Sequence, residues 1–159
     1  MNMKRLPLPT VLMGIVSPIP AIVFAIGGLF SSDAVPGMTM GLVEYAALVL
    51  AFSGAVHWGL ALDRPMVIMG TRLDAGPDNR RLLMGALPLP VGWLACHATF
   101  LGHVPFGLAV LLAGFFGLFL AERAAWRRGE LPSGYLALRL WLTAVFMACL
   151  GLAMLVSLS

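Results

Sequence analysis

Five long apolar stretches limit what this chain of 159 residues can fold into. A helix crosses a hydrocarbon layer of about 30 Å with ~20 residues, at 1.5 Å each. The sequence predicts membrane-spanning helices over residues 9–30, 39–62, 82–101, 104–122 and 136–157. A β-barrel would need ~10-residue strands that alternate apolar and polar side chains, and these runs do not alternate. We therefore predict an all-α integral membrane bundle of five transmembrane helices, a single transmembrane domain over residues 1–159.

Composition supports the same class. Hydrophobic residues make up 60% of the chain and charged residues 11%, which leaves too little polar sequence to cover a water-soluble core of this size. The formal net charge of +3 needs no nucleic-acid partner, because membrane topology and anionic lipid headgroups account for it. Membrane lipids are thus the first expected partners.

The basic residues predict the orientation of the chain. All ten fall on one side of the predicted spans: Lys4, Arg5, Arg64, Arg72, Arg80, Arg81, Arg123, Arg127, Arg128 and Arg139. Because Lys and Arg are retained on the cytoplasmic side, we expect the N-terminus inside and the C-terminus outside. The outer loops are short and carry one charge, Asp33, so we expect no outer domain that binds a soluble partner.

Two Pro-x-Pro segments, "PIPAIVFAIGGLF" from Pro18 and "PLPVGWLACHATF" from Pro88, begin the outward runs of the first and third helices. Each proline removes a backbone donor, so both helices should kink, and a neighbouring group must satisfy the released carbonyls. The chain can be read as two parallel hairpin repeats plus a fifth helix. The alternative is that these prolines reflect only their ordinary frequency in membrane helices.

Small residues spaced four apart predict where helices approach one another closely. Such rows occur in the first helix at Ser17, Ala21 and Ala25, and in the fourth at Ala113, Gly117 and Ala121. They favour packing within one monomer, but a homo-oligomer interface would use the same pattern.

Polar residues inside the hydrophobic layer are the candidate functional residues, because each is costly unless it is paired or hydrated. A candidate inner polar cluster consists of His57, Trp58, Asp63, Glu122, Tyr135 and Arg139. Residues four apart share a helical face, which places Ser53 with His57 and Tyr135 with Arg139. The alternative is that Trp58 and Arg139 are ordinary interfacial anchors and that His57 is only a satisfied polar residue within the bundle.

A candidate outer polar pair, Glu44 and His97, lies toward the other side, with His103 in the adjacent loop. Glu44 and His97 fall at similar predicted depth and could form a proton-sensitive or metal-sensitive site. With His103 they make only a minimal ligand set, so we predict no metal.

The sequence contains no motif that indicates catalysis. It has no phosphate-binding loop, nucleophile elbow or His-Glu-x-x-His motif, so we expect no enzymatic activity and no catalytic residue. His57 and His97 lie near opposite faces and cannot share one haem. A quinone needs only a cleft, a His or Tyr donor and apolar walls. We predict bound lipid and no cofactor, with quinone or haem as weaker alternatives.

Three segments resemble the domain-of-unknown-function 3429 family, which includes the mitochondrial transmembrane protein 69 group. They are "FSGAVHWGLAL", the "LP" that opens the third helix, and "GYLALRLWLTAVF". The most specific pieces are His57–Gly59 and the Tyr135/Arg139 pair. The resemblance implies a small bacterial inner-membrane or mitochondrial protein with about five helices, and we expect a multi-pass protein of the bacterial inner membrane. The resemblance implies no activity.

Two functions remain open. Small size and the lack of a catalytic set favour a non-enzymatic accessory or assembly subunit of a larger, bioenergetic membrane complex, with other membrane subunits as partners. The alternative is a small transport, haem-binding or quinone-binding protein with a polar intramembrane site.

Overall fold

The computed structural model describes residues 12, 14–30, 32–62, 76–129, 131 and 134–158. They form six helices: α1 Ile19–Phe30, α2 Val35–Leu62, α3 Gly76–Ala86, α4 Pro88–Phe100, α5 Val104–Arg127 and α6 Tyr135–Leu158. A 3-10 turn, Ser32–Ala34, joins α1 to α2. No strand occurs in this part of the chain, and the all-α prediction is confirmed.

Four helical segments are long and apolar enough to cross a membrane: Val35–Gly59, Arg81–Phe100, Val104–Arg127 and Tyr135–Leu158. The shorter apolar segment Gly14–Phe30 contains α1 and the turn that precedes it. These segments correspond to the five predicted spans, and they are the helices of a membrane protein. The helix of the fourth predicted span, α5, continues to Arg127, five residues beyond the predicted end of that span. The orientation in the membrane remains a prediction.

The helical pattern breaks at both Pro-x-Pro segments. Ser17 and Pro18 form a turn before α1, and Leu87 separates α3 from α4. Tyr45 of α2 donates its hydroxyl to the Ser17 carbonyl at 2.7 Å. A neighbouring helix thus supplies a hydrogen bond at the first break, which a lipid chain could not do. At the second break, Leu87 N–H still donates to the Leu83 carbonyl at 2.9 Å, so a single turn residue separates α3 from α4.

The helices form a closed ring in the order α1, α2, α4, α5 and α6, with α6 returning to α1. Phe115 and Phe146 stack at the centre with ring centroids 4.9 Å apart, and Tyr45 stacks on Phe146 at 6.3 Å. Gly92 of α4 lies against Ala47 of α2, where an added Cβ would come within 3.1 Å of the Ala47 carbonyl. This contact fixes the register of α2 and α4.

One end of the bundle, here called the basic end, holds the arginines of α3, α5 and α6. The first turns of α6 meet the last turns of α5 there, as the contact between Tyr135 and Glu122 shows. Trp58, near the end of α2, donates its indole N–H to the Leu82 carbonyl of α3 at 3.0 Å. The chain therefore gathers its described positive charge at the end where the sequence predicts the inner side.

Candidate functional site

Glu122, near the end of α5, lies at the centre of the inner polar cluster. Its side chain is completely buried, at 0% exposure, and Arg139 of α6 is only 3% exposed. Arg139 Nε lies 2.6 Å from Glu122 Oε2, although its N–H is not aligned well enough for a hydrogen bond. The contact is therefore a close ion pair. Each charge compensates the other at a buried position that water does not reach.

The other carboxylate oxygen of Glu122 faces two more side chains. Tyr135 donates its hydroxyl to Oε1 at 3.0 Å. His57 Nε2 lies 3.5 Å from the same oxygen and makes no hydrogen bond to any described residue. Arg139 Nη1 donates to Ser53 Oγ at 2.7 Å, and Ser53 Oγ donates to the Val49 carbonyl at 2.7 Å.

These five residues, Ser53, His57, Glu122, Tyr135 and Arg139, form what we term the Glu122 network. It joins α2, α5 and α6 through side chains alone. The helical repeat explains the arrangement, since Ser53 with His57, and Tyr135 with Arg139, are each one turn apart on a single face. Both of these shared faces were predicted from the spacing.

The structure brings together four of the six residues predicted for the inner cluster: His57, Glu122, Tyr135 and Arg139. Trp58 lies outside the network, with its indole ring against Gly85 and its N–H on Leu82. Asp63 lies outside the described residues. The spacing predicts that Ser53 shares a helical face with His57, but it does not predict that Ser53 accepts a hydrogen bond from Arg139.

Besides Arg139 Nε, which contacts Glu122 without a hydrogen bond, two buried donors of α6 find no hydrogen-bond partner in the described part of the chain: Arg139 Nη2 and Thr143 Oγ1. Thr143, 5% exposed, stands one turn after Arg139 on the same face. Buried polar atoms are almost always hydrogen-bonded, so such atoms call for a physical explanation.

A cleft of about 640 Å³ lies between residues 14–17, α2 and α6. Its polar end is formed by Ser53, Tyr135 and Arg139, so it adjoins the Glu122 network. Its apolar walls are formed by Leu48, Val49, Phe52, Val56, Leu138 and Leu142. Leu48 and Phe52 are 68% and 76% exposed, which indicates that the cleft opens to the outer surface of the bundle. Tyr45 lines the cleft as well; a tyrosine inside an apolar span is a signal that the sequence prediction passed over.

The outer candidates have a different environment. Glu44, His97 and His103 are all exposed. No ion pair joins Glu44 to His97 or to any other residue in the described ranges, and the imidazole of His97 instead stacks on Trp93 with ring centroids 5.2 Å apart. No three His, Cys, Asp or Glu side chains in these ranges converge as metal ligands. Glu44 and His57 are separated by about 20 Å along α2, so the two sites are distinct.

A family model described as protein of unknown function (DUF3429) matches residues 6–155. The chain belongs to this family. No curated protein and no solved structure matches it. The two most specific parts of the resemblance, His57–Gly59 and the Tyr135/Arg139 pair, come from opposite halves of this DUF3429 chain, and the structure joins them through Glu122.

Proposed function

We propose that this DUF3429 protein is a non-enzymatic accessory or assembly subunit of a larger bioenergetic complex in a bacterial inner membrane. One observation carries the proposal: Glu44 presents a carboxyl group on the exposed surface of α2, with no ion pair to any described residue. A side chain of this kind needs a partner when it faces lipid.

The depth of Glu44 makes this need stronger. Ala47 and Gly92 mark the same level on the antiparallel helices α2 and α4. Measured along the two helix axes from that level, Glu44 lies about 9 Å deeper in the bundle than the Leu101–His103 turn. A carboxyl group at this depth lies within the helical region and does not belong to a hydrated loop. Trp93 and His97 form an exposed aromatic pair at a similar depth on the adjacent helix.

The chemistry of this surface suggests a partner helix that presents Lys, Arg or another hydrogen-bond donor at the level of Glu44. A second copy in the same orientation supplies none of its arginines there, since those described lie toward the basic end. The surface therefore fits a different membrane subunit better than a homodimer. Interfaces within membranes gain from such interhelical hydrogen bonds, by about 1 kcal/mol each.

The proposal is tested by photo-crosslinking in the native membrane. A photoreactive phenylalanine replaces Phe100, 77% exposed and one turn from His97, and a matched control variant carries it at Phe116, 52% exposed on α5. We expect a specific adduct from position 100 that mass spectrometry identifies as another membrane subunit, co-purifying in mild detergent. Glu44→Gln should reduce this adduct at least several-fold.

Three results would contradict the proposal. They are equal adducts from both positions, an adduct unaffected by Glu44→Gln, and a chain that purifies alone from native membranes. An adduct with a second copy of this chain would replace the accessory role with homo-oligomerisation.

A further inference from the structure

We propose that the cleft between residues 14–17, α2 and α6 binds a membrane amphiphile whose uncharged head group presents a carbonyl oxygen to Arg139. This binding site is separate from the outer surface at Glu44 and does not depend on the accessory role. The two sources of such chemistry in a membrane are isoprenoid quinones and neutral ester lipids.

The size and walls of the cleft suit an amphiphile. Its volume of about 640 Å³ falls within the range of about 300–1,000 Å³ that is usual for small-molecule sites. Six aliphatic or aromatic side chains form the walls, and polar groups lie mainly at the end next to the Glu122 network. A ligand there gains apolar contact along most of its length and specific contacts at one end.

Arg139 defines what the polar end recognises. A guanidinium group has five N–H donors and no acceptor. Nη1 donates to Ser53 and Nε contacts Glu122, whereas Nη2 has no hydrogen-bond partner among the described residues, although the side chain is 97% buried. A buried donor without an acceptor is unfavourable, so an occupant with an acceptor oxygen at this end would be stabilised.

Charge balance favours an uncharged head group. The positive charge of Arg139 is already compensated by Glu122, which lies 2.6 Å away. A carboxylate or phosphate would bring a second negative charge close to Glu122, in surroundings that screen it poorly. A carbonyl oxygen accepts the hydrogen bond without that cost.

The direction of the cleft also matches an amphiphile in a bilayer. Arg139 lies one turn into α6, close to the basic end, whereas Tyr45 lines the cleft about 12 Å farther along α2 than Ser53. A ligand with its head at Arg139 therefore extends its tail away from the basic end, toward the middle of the membrane.

The test uses the full chain in detergent micelles and three probes: a decyl-substituted benzoquinone, dioleoylglycerol and oleate. Val49→Phe and Val56→Phe add bulk inside the cleft. Leu155→Phe is the control, since Leu155 is 69% exposed near the end of α6 and does not line the cleft. Titration with each probe gives Kd, and native mass spectrometry gives stoichiometry.

We expect one of the neutral probes to bind saturably at one per chain, and its identity distinguishes a quinone from an ester lipid. The two cleft variants should bind it at least tenfold more weakly, and Leu155→Phe should bind it as the unaltered chain does. The double variant Glu122→Gln/Arg139→Gln removes the charged donor and should also weaken binding.

The proposal is overturned if neither neutral probe binds saturably, if Val49→Phe and Val56→Phe bind as well as the control, or if oleate binds more tightly than both neutral probes. Because Val49→Phe and Val56→Phe change no residue of the Glu122 network, these outcomes can be interpreted even if the double variant does not fold. None of them bears on crosslinking at position 100.

Discussion

Arg139 Nε and Glu122 Oε2 lie 2.6 Å apart inside the bundle, on side chains that are 3% and 0% exposed. This pair joins α6 to α5, and the hydrogen bond from Arg139 to Ser53 extends it to α2. Either charge alone would be poorly tolerated at this position, because an uncompensated buried ion is strongly destabilising. Buried polar side chains thus link α2, α5 and α6.

Tyr135→Phe removes the hydroxyl that donates to Glu122 Oε1. Since the acceptor is a buried carboxylate, we expect the free energy of unfolding to fall by about 1.5–3 kcal/mol. Tyr45→Phe is the matched control, because its hydroxyl donates to a neutral carbonyl, and it should cost only about 0.5–1.5 kcal/mol. Unfolding with SDS in mixed micelles measures both, and equal losses would argue against a charged acceptor.

His57→Leu should destabilise the bundle mildly, by about 1 kcal/mol, because Glu122 keeps its contacts with Arg139 and Tyr135. His57 is 2% exposed and 3.5 Å from Glu122. His103→Leu, at an exposed position, serves as the control and should leave unfolding unchanged. A loss as large as that from Arg139→Gln would mean that His57 carries more of the network than the geometry implies.

Gly85→Ala places a methyl group against the indole ring of Trp58. The added methyl group would also crowd the backbone carbonyl of Gly54, and moving the indole ring away would strain its hydrogen bond to Leu82, so we expect a loss of about 1–3 kcal/mol. Gly117→Ala is the control on α5, where no atom beyond the backbone of its own helix turn lies within 4 Å of the added carbon. Its stability should be unchanged or higher by up to about 1 kcal/mol. The same unfolding assay compares the two variants, and equal stability would refute close packing at Gly85.

The predicted orientation is tested with single cysteines at two exposed positions, Asp33 and Arg127, after Cys96 and Cys149 are changed to Ala. A membrane-impermeant maleimide added to intact cells should label position 33, and it should label position 127 only after the cells are opened. The reverse pattern would invert the topology and move the Glu122 network to the outer half of the membrane.

The spacing of residues was enough to predict part of this structure. Long apolar runs predicted the helices because backbone groups in lipid must be satisfied within the segment. The four-residue intervals Ser53/His57 and Tyr135/Arg139 predicted which side chains share a face. Spacing alone did not show that both faces point at Glu122, since this depends on how α2, α5 and α6 are rotated against one another.

The same limit explains the rows of small residues. Ala21 and Ala25 are buried in the bundle, whereas Ala113 and Gly117, which have the same spacing, are exposed. On α5 the interior face is formed by larger side chains such as Phe115, which stacks on Phe146. A sequence pattern identifies a row of small residues but not the helix that packs against it. The cleft is formed by three separate elements, so no local stretch of sequence indicates it.

A double-mutant cycle on Glu122→Gln and Arg139→Gln tests most directly the claim that a charge-compensated network holds α2, α5 and α6 together. Each single variant leaves one buried charge and should lose about 3–5 kcal/mol of unfolding free energy, while the double variant should lose clearly less than the sum of the two. Glu44→Gln, at an exposed carboxyl group, is the control and should be near neutral. Additive losses in the double variant, or single variants as stable as the control, would contradict the network.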